Sequence, residues 1–403
     1  MKRVVFASLA AAIVAAGTGS LYAQGRAHED DGQIFVPGSS QEGPDDHGLR
    51  AHTNHVLHIR PQATGTAPAG ETPGSISSVY NVASTGGSGV IAIVDAYDYP
   101  TAAADLDKFS VQFGLPRVCS VAPGTTCINF EVKYANGRQP RANCGWAQES
   151  ALDIEWAHAM APKARIVLVE AASSSFTDLF QAVGVAKNYI ATNGDLGEIS
   201  MSWGGSEFSS ERSYDSTFTA PGGSSIVFFA ASGDTGGRTI YPGVSPNVVS
   251  AGGTRINRNS SRAFTGETGW SGSGGGPSAY EPRPSYQTNL SVIAGNHRGV
   301  PDFSFDADPA SGVSVYDSTS CQGYSGWMVF GGTSVASPSL AGIVNAANHF
   351  YLDSPHELSI LYSNLGKSAM FRDITSGSAG SYSAKTGWDF VTGVGSNQGY
   401  DGK

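Results

Sequence analysis

The sequence predicts an α/β protein built on a central, mostly parallel sheet flanked by helices. Three observations carry that prediction: strand-length runs that are apolar throughout, helical patterns between the early ones, and polar residues at the ends of the runs. The runs are GVIAIVDA (89–96), ARIVLVEA (164–171), EISMSWGG (198–205), SIVFFAASG (225–233) and NVVSAGGT (247–254). A run with no polar alternation suits a strand covered on both faces. Helix candidates occupy 101–113, 146–160 and 177–192, so the early connections read as crossovers and the sheet as parallel. Such sheets gather their functional groups at the carboxyl ends of the strands. Those ends carry Asp95, Ser202 with Trp203, and Ser232-Gly233-Asp234, three candidate groups for one crevice.

The 403 residues suffice for one large domain or two ordinary ones. Lys2 and Arg3 precede an apolar run from Val4 to Ala16, and small residues follow to Ala23. This is the pattern of a secretory signal peptide over 1–23, so a secreted, extracellular protein is expected. The run is short for a bilayer and no later segment approaches about 20 apolar residues, so no membrane association is expected after signal removal. Residues 24–71 are polar, rich in Gly, Pro and acids, and hold five of the nine histidines. They read as a short flexible prosegment or linker, with the folded domain over 72–403.

Charged residues make up only 14% of the chain and the net charge is −10, with no Lys/Arg cluster, which argues against a nucleic-acid partner. A chain with few ion pairs also loses little when its carboxylates are protonated, which permits an acidic habitat. The cysteines, Cys119, Cys127, Cys144 and Cys321, allow three disulfide pairings in an exported protein, and Cys119 with Cys127 would close a small loop.

The helix WAQESALDIEWAHAM (146–160) contains a carboxylate pair. At 100° per residue, Asp153 lies about 40° from Glu149, and Trp156 and Met160 lie within about 20° of it. Glu155 and His158 point roughly the opposite way. Two acids one turn apart on an apolar face are too costly to bury fully charged, so the pair should hold a proton between them, as general acid/base catalysis can use.

GGTSVASP (331–338) places Ser334 at the start of a helix, as a cap or a nucleophile. A nucleophile needs a base and an oxyanion donor. Of the histidines in the folded part, His158, His297, His349 and His356, none opens a helix as His-Gly-Thr, so the base falls to a carboxylate.

With these motifs in this order, the chain from Thr72 onward resembles the sedolisins, or serine-carboxyl peptidases, which have a subtilisin-like three-layer fold. The resemblance implies that Ser334 in GGTSVASP is the nucleophile, that Glu149 in ESALD is the base, and that Asp153 orients it. It also implies that Asp234 in ASGDTG serves the oxyanion hole. It places Asp95 behind the catalytic pair, where a cap on the following turn is an equal reading. It sets Trp203 beside the pair and makes the backbone of Ser202, Trp203 and Gly204 a strand-like substrate rail.

Near the C-terminus, FRDITSG and TGWDFVTGVGS carry two aspartates in Gly-rich loops, a pattern that suits a hard cation or simple turn caps. In sedolisins this region holds calcium, which implies one structural Ca²⁺ on Asp373, Asp389 and the carbonyls of Ile374, Lys385 and Gly387. Lys385 stands where the family often has Gly.

The prosegment is shorter than sedolisins commonly carry, so it is either cleaved or retained as a tail. LGKSA (365–369) fails as a phosphate loop because Leu361 stands where the earlier Gly is required. SGSGGGP (271–277) reads as a structural loop, and sequons stand at Asn259 and Asn289. The expectation is a secreted, monomeric serine-carboxyl endopeptidase acting on proteins or peptides in acid. The alternatives are a subtilisin-type Ser-His-Asp peptidase, or a secreted binding protein on an inactive scaffold.

Overall fold

In the computed structural model, which describes residues 32–59, 65–124 and 126–403, the five apolar runs become neighbouring strands of one sheet. The expected signal peptide lies outside the described residues. Taken across the sheet, the parallel strands are Ser396–Asn397, Phe303–Asp306, Val249–Arg258, Ser225–Ala231, Leu196–Met201, Val90–Ala96, Arg165–Ala171 and Phe130–Tyr134. Phe371–Arg372 and Phe264–Gly269 add antiparallel partners.

The unbroken apolar character of the strands follows from burial on both sides. In Val90–Ala96, Ile91 and Ile93 enter the core under the helices Cys144–Met160 and Thr333–Ala347. Val90, Ala92 and Val94 enter a second core under the helix Phe176–Thr192. The three helix candidates are realised at Ala102–Phe113, Cys144–Met160 and Phe176–Thr192. Asn143 starts the second by accepting the N–H groups of Gly145 and Trp146, at 3.1 and 3.2 Å.

An antiparallel hairpin, Val313–Cys321 with Tyr324–Gly331, leads directly into the helix Thr333–Ala347. Disulfides join Cys119 to Cys127, the loop-closing pair, and Cys144 to Cys321. The second ties the start of the carboxylate helix to the hairpin.

The segment expected to be a flexible linker departs most from its sequence reading. Gln33–Phe35 pairs antiparallel with Val56–Ile59, which pairs with Phe330 and Gly331 at the end of the hairpin. Upstream, His52–Thr53 pairs antiparallel with the strand Trp203–Ser206. Ser40 Oγ donates to the His55 carbonyl at 2.7 Å and fastens the two halves together. The polar composition hid this because the strap gains its order from backbone pairing with the domain, not from an apolar stripe of its own.

Candidate active site

The carboxylate helix is buried all the way round, from Gly145 to Met160. It runs beneath the sheet against both the helix Thr333–Ala347 and the hairpin. Inward and outward faces therefore do not separate its acids. Glu155 is as buried as Glu149 and accepts the N–H of Tyr316 at 3.0 Å. His158 meets the Pro116 carbonyl at 2.9 Å, and burial pushes its imidazole down to about 4.

Glu149 and Asp153 are both fully shielded from solvent. Burial, then the charges of Asp95 and Glu149, push the Asp153 carboxyl well above the ordinary carboxylate range. Two like charges about 4 Å apart repel by about 4 kcal/mol at the effective dielectric of a protein, against about 1.4 kcal/mol per pH unit to keep a proton. The pair therefore retains one. Glu149 Oε1 and Asp153 Oδ2 otherwise lack a donor, and a proton held between the two acids supplies it. Asp95 stands behind them, accepting from Ser150 Oγ at 2.9 Å, and is itself driven up by burial and by Glu149.

Ser334 occupies the second position of its helix, whose N-cap Gly332 offers no side-chain cap. Asp234 supplies the cap from another segment, its Oδ1 accepting the Thr333 N–H at 2.7 Å and the Thr333 hydroxyl at 2.8 Å. Burial raises the Asp234 carboxyl to about 8, and its Oδ2 is buried without a partner. Gly332 has φ +101°, and a Cβ there would lie 2.2 Å from the Asn54 carbonyl oxygen and 2.5 Å from Asp234 Oδ2. Only glycine fits between those two oxygens.

Pro338, inside the helix, lacks the N–H that the Ser334 carbonyl would accept. Ser202 Oγ reaches that carbonyl at 3.4 Å while donating to Asp153 Oδ1 at 2.9 Å. Ser202 thus links the Ser334 helix and the acid pair through its side chain, beyond the backbone role expected of it. Trp203 turns its indole the other way, donating to the Val94 carbonyl at 2.7 Å and packing on Phe176 and Phe180.

The rail at Ser202–Gly204 is filled by the chain's own strap. His52 pairs with Gly204 and Thr53 with Trp203, and the Asn54 N–H donates to the Ser202 carbonyl at 3.1 Å. The Asn54 carbonyl accepts the Ser334 N–H at 3.0 Å. The Ser334 hydroxyl accepts the Asn54 N–H at 3.2 Å and donates to the Ser202 carbonyl at 3.1 Å. Glu149 makes no hydrogen bond to Ser334 in this arrangement, because its Oε2 faces His55 Nδ1 at 2.8 Å.

His55 is the residue at this site that sequence reasoning missed, set aside with the prosegment histidines. The available signal was AHTNHVLHI (51–59), a β-prone stretch inside an otherwise polar region. The imidazole stacks on Phe330 at 5.4 Å and leaves Nε2 buried without a partner. It touches the acid and not the serine, so a Ser-His-Asp arrangement does not form.

The candidate calcium residues meet around one loop. Asp373, exposed, accepts the Gly387 N–H at 3.2 and 3.1 Å. Asp389, buried, accepts the N–H groups of Lys385, Val391 and Thr392, each at 2.9 Å. Ile374 is buried beside Asp373, and Lys385 is exposed. Both carboxylates thus converge on 385–387, and an all-oxygen donor set suits a hard cation. Among the described residues no cluster of three or more His, Cys, Asp or Glu side chains has metal-binding geometry.

A serine at a helix start meets buried carboxylates at the carboxyl ends of this sheet. The sequence pattern of the subtilase family (Peptidase S8) matches residues 135–395, well over half the chain, and the chain belongs to that family. Its relatives include sedolisins. It is 28% identical to sedolisin of Pseudomonas sp. (strain 101), over 83% of this chain and 60% of that protein. It is 29% identical to kumamolisin of Bacillus sp. (strain MN-32), over 86% of this chain and 65% of that protein. The chain thus spans about three fifths to two thirds of the length of these relatives. The structure of Pseudomonas sedolisin, a serine-carboxyl proteinase complexed with pseudo-iodotyrostatin, aligns with a TM-score of 0.69 at 26% identity, covering 82% of this chain and 96% of that one. Sphericase shares the fold, with a TM-score of 0.52 at 21% identity, covering 80% of this chain and 96% of that one.

Proposed function

We infer that the chain is a secreted serine-carboxyl endopeptidase that hydrolyses peptide bonds of proteins in acid. The observation that carries this reading is the Asn54 carbonyl, presented on an extended backbone to the Ser334 N–H at 3.0 Å beside Asp234. With Glu149 released by His55, its carboxylate takes the Ser334 proton as the hydroxyl attacks the scissile carbonyl, then passes it to the leaving amine. Asp153, held by Ser202, fixes the orientation of Glu149. Asp234, protonated, donates to the developing oxyanion alongside the Ser334 N–H. The requirement for protonated Asp234, whose carboxyl lies at about 8, supports an acidic working range. Secretion is supported by two disulfides, which persist in oxidising compartments.

A structural Ca²⁺ would be held by Asp373, Asp389 and the carbonyls of Ile374, Lys385 and Gly387. It would supply charge compensation to the two carboxylates and no step of catalysis.

The test is hydrolysis of a denatured protein at pH 4, read by mass spectrometry of the released peptides. Ser334→Ala and Glu149→Gln should each lower cleavage by several orders of magnitude while leaving the circular dichroism spectrum unchanged. Retained proteolysis in either folded variant would overturn the assignment.

A further inference from the structure

We propose that Glu207 and Glu211 are positioning residues for the peptidase reaction: the two side chains share one proton and pin the outer end of the rail Ser202–Gly204 to the strand Gly276–Pro282. The proposal rests on the peptidase reading above. The rail runs into the strand Trp203–Ser206, whose Gly205 and Ser206 pair with Tyr241 and Ile240. Two rungs of backbone pairing alone would hold its end loosely. Glu207 follows that strand directly. Its carboxylate accepts the Thr239 hydroxyl, just before Ile240, and the Ser278 hydroxyl, and takes the Ala279 N–H at 3.1 and 3.2 Å. One side chain thus gathers three segments at the end of the rail.

Glu207 is half-buried and ringed by donors, which favours its ionised form. Glu211, at the start of the 3₁₀ helix Glu211–Phe218, is completely buried. Its Oε2 accepts the Phe208 N–H at 2.8 Å, and its Oε1 has no donor. A proton on that oxygen, donated to Glu207, satisfies it and spares the site two adjacent like charges. Burial, then the charge of Glu207, pushes the Glu211 carboxyl up to about 9, so the proton stays in place throughout the acid range. The charged groups nearby do not substitute for it. Asp215, on the same helix, accepts the Ser245 and Tyr241 hydroxyls at 2.7 and 3.3 Å, and Glu281, buried on the strand Gly276–Pro282, adds a further acid. Arg212 is largely exposed and lies 4.0 Å from Glu281, while Arg238 lines the same cavity as Glu207.

The experiment compares two substrates of the purified full chain at pH 4: a fluorogenic peptide long enough to lie along the rail, and a small acetyl ester that reaches only Ser334. Glu211→Met keeps the bulk of the side chain and removes the proton; it should raise KM for the peptide roughly tenfold, with kcat and the ester rate held. Glu211→Gln keeps a donor towards Glu207 and should restore the wild-type KM. Ser278→Ala, which removes a hydroxyl from the same carboxylate and leaves the buried acid alone, should raise KM several-fold in the same pattern, and it decides the matter where Glu211→Met does not fold. Equal losses on both substrates, or an unchanged KM in the folded variants, overturn the positioning role and leave the peptidase reading standing. A Glu211→Gln chain as impaired as Glu211→Met overturns the shared proton. A wild-type chain that cleaves neither substrate overturns the peptidase reading, and the proposal falls with it.

Discussion

The imidazole of His55 lies 2.8 Å from the carboxylate of Glu149, and both side chains are completely closed off from solvent. A buried hydrogen bond contributes little net stability, but removing one partner leaves the other buried without it at a cost of about 1–3 kcal/mol. His55→Ala therefore destabilises the closed strap and frees the base. At neutral pH the lag before peptide hydrolysis by the full chain should shorten by roughly tenfold or more, since each 1.4 kcal/mol is about a factor of ten. An unchanged lag would show that the contact does not restrain the catalyst.

In the proposed mechanism Asp234 serves the oxyanion only as a donor, so its proton matters more than its charge. With its carboxyl at about 8, it is protonated in acid and loses the proton as pH rises through that value. The alkaline limb of kcat/KM should fall there. Asp234→Asn keeps a donor at every pH and should flatten that limb, whereas Asp234→Ala should lose about 10²–10³-fold throughout. A wild-type profile that rises through pH 8 would rule out this role.

The layered sheet was legible in the sequence because a parallel strand buried on both faces must be apolar at every position, as Val90–Ala96 is. The three ordered motifs singled out Ser334, the Glu149–Asp153 pair and Asp234, and the fold joins them through Ser202 and Thr333. The angular argument for Glu149 and Asp153 placed them correctly for an incomplete reason, since the whole helix is buried, Glu155 and His158 included. The strap was not legible. Its two halves pair with residues far along the chain, and backbone hydrogen bonds carry no side-chain signature. The Ser202 side chain was missed because its bridge to Asp153 exists only once two distant segments meet.

The convergence of Asp373 and Asp389 on one loop sets a separate expectation. A cation bound only by the folded state stabilises it by about 2.7 kcal/mol when present at a hundredfold its Kd. Chelation should therefore lower the Tm of the wild-type chain by a few degrees, and added Ca²⁺ should restore it. Asp389 also caps Lys385, Val391 and Thr392, so its loss would destabilise the loop with or without metal. Asp373→Asn is the cleaner variant, and its Tm should no longer respond to chelator. An equal response in wild type and Asp373→Asn would exclude calcium at this loop.

The buried acids outside the catalytic pair impose a pH dependence on the fold itself. Burial drives Glu198 and Asp306 well above their ordinary values, Glu170 and Glu357 to about 8, and Asp317 to about 7. For an acid with a raised value, the native state binds more protons than the unfolded chain between the two values, so stability falls as pH rises across that window. Asp107 and Glu131 act oppositely, their carboxyls lowered by Arg117 and by Lys133, and lose their contribution in acid. His158, down at about 4, also loses its contribution as pH falls from its ordinary value towards 4. Asp107 and Glu131 lie near the surface with weaker shifts, so the raised acids dominate. The Tm of Ser334→Ala, which cannot digest itself, should be highest near pH 4–5 and decline steadily through pH 7–8. A Tm that climbs towards pH 8 would mean that these carboxyls are ionised in the native fold.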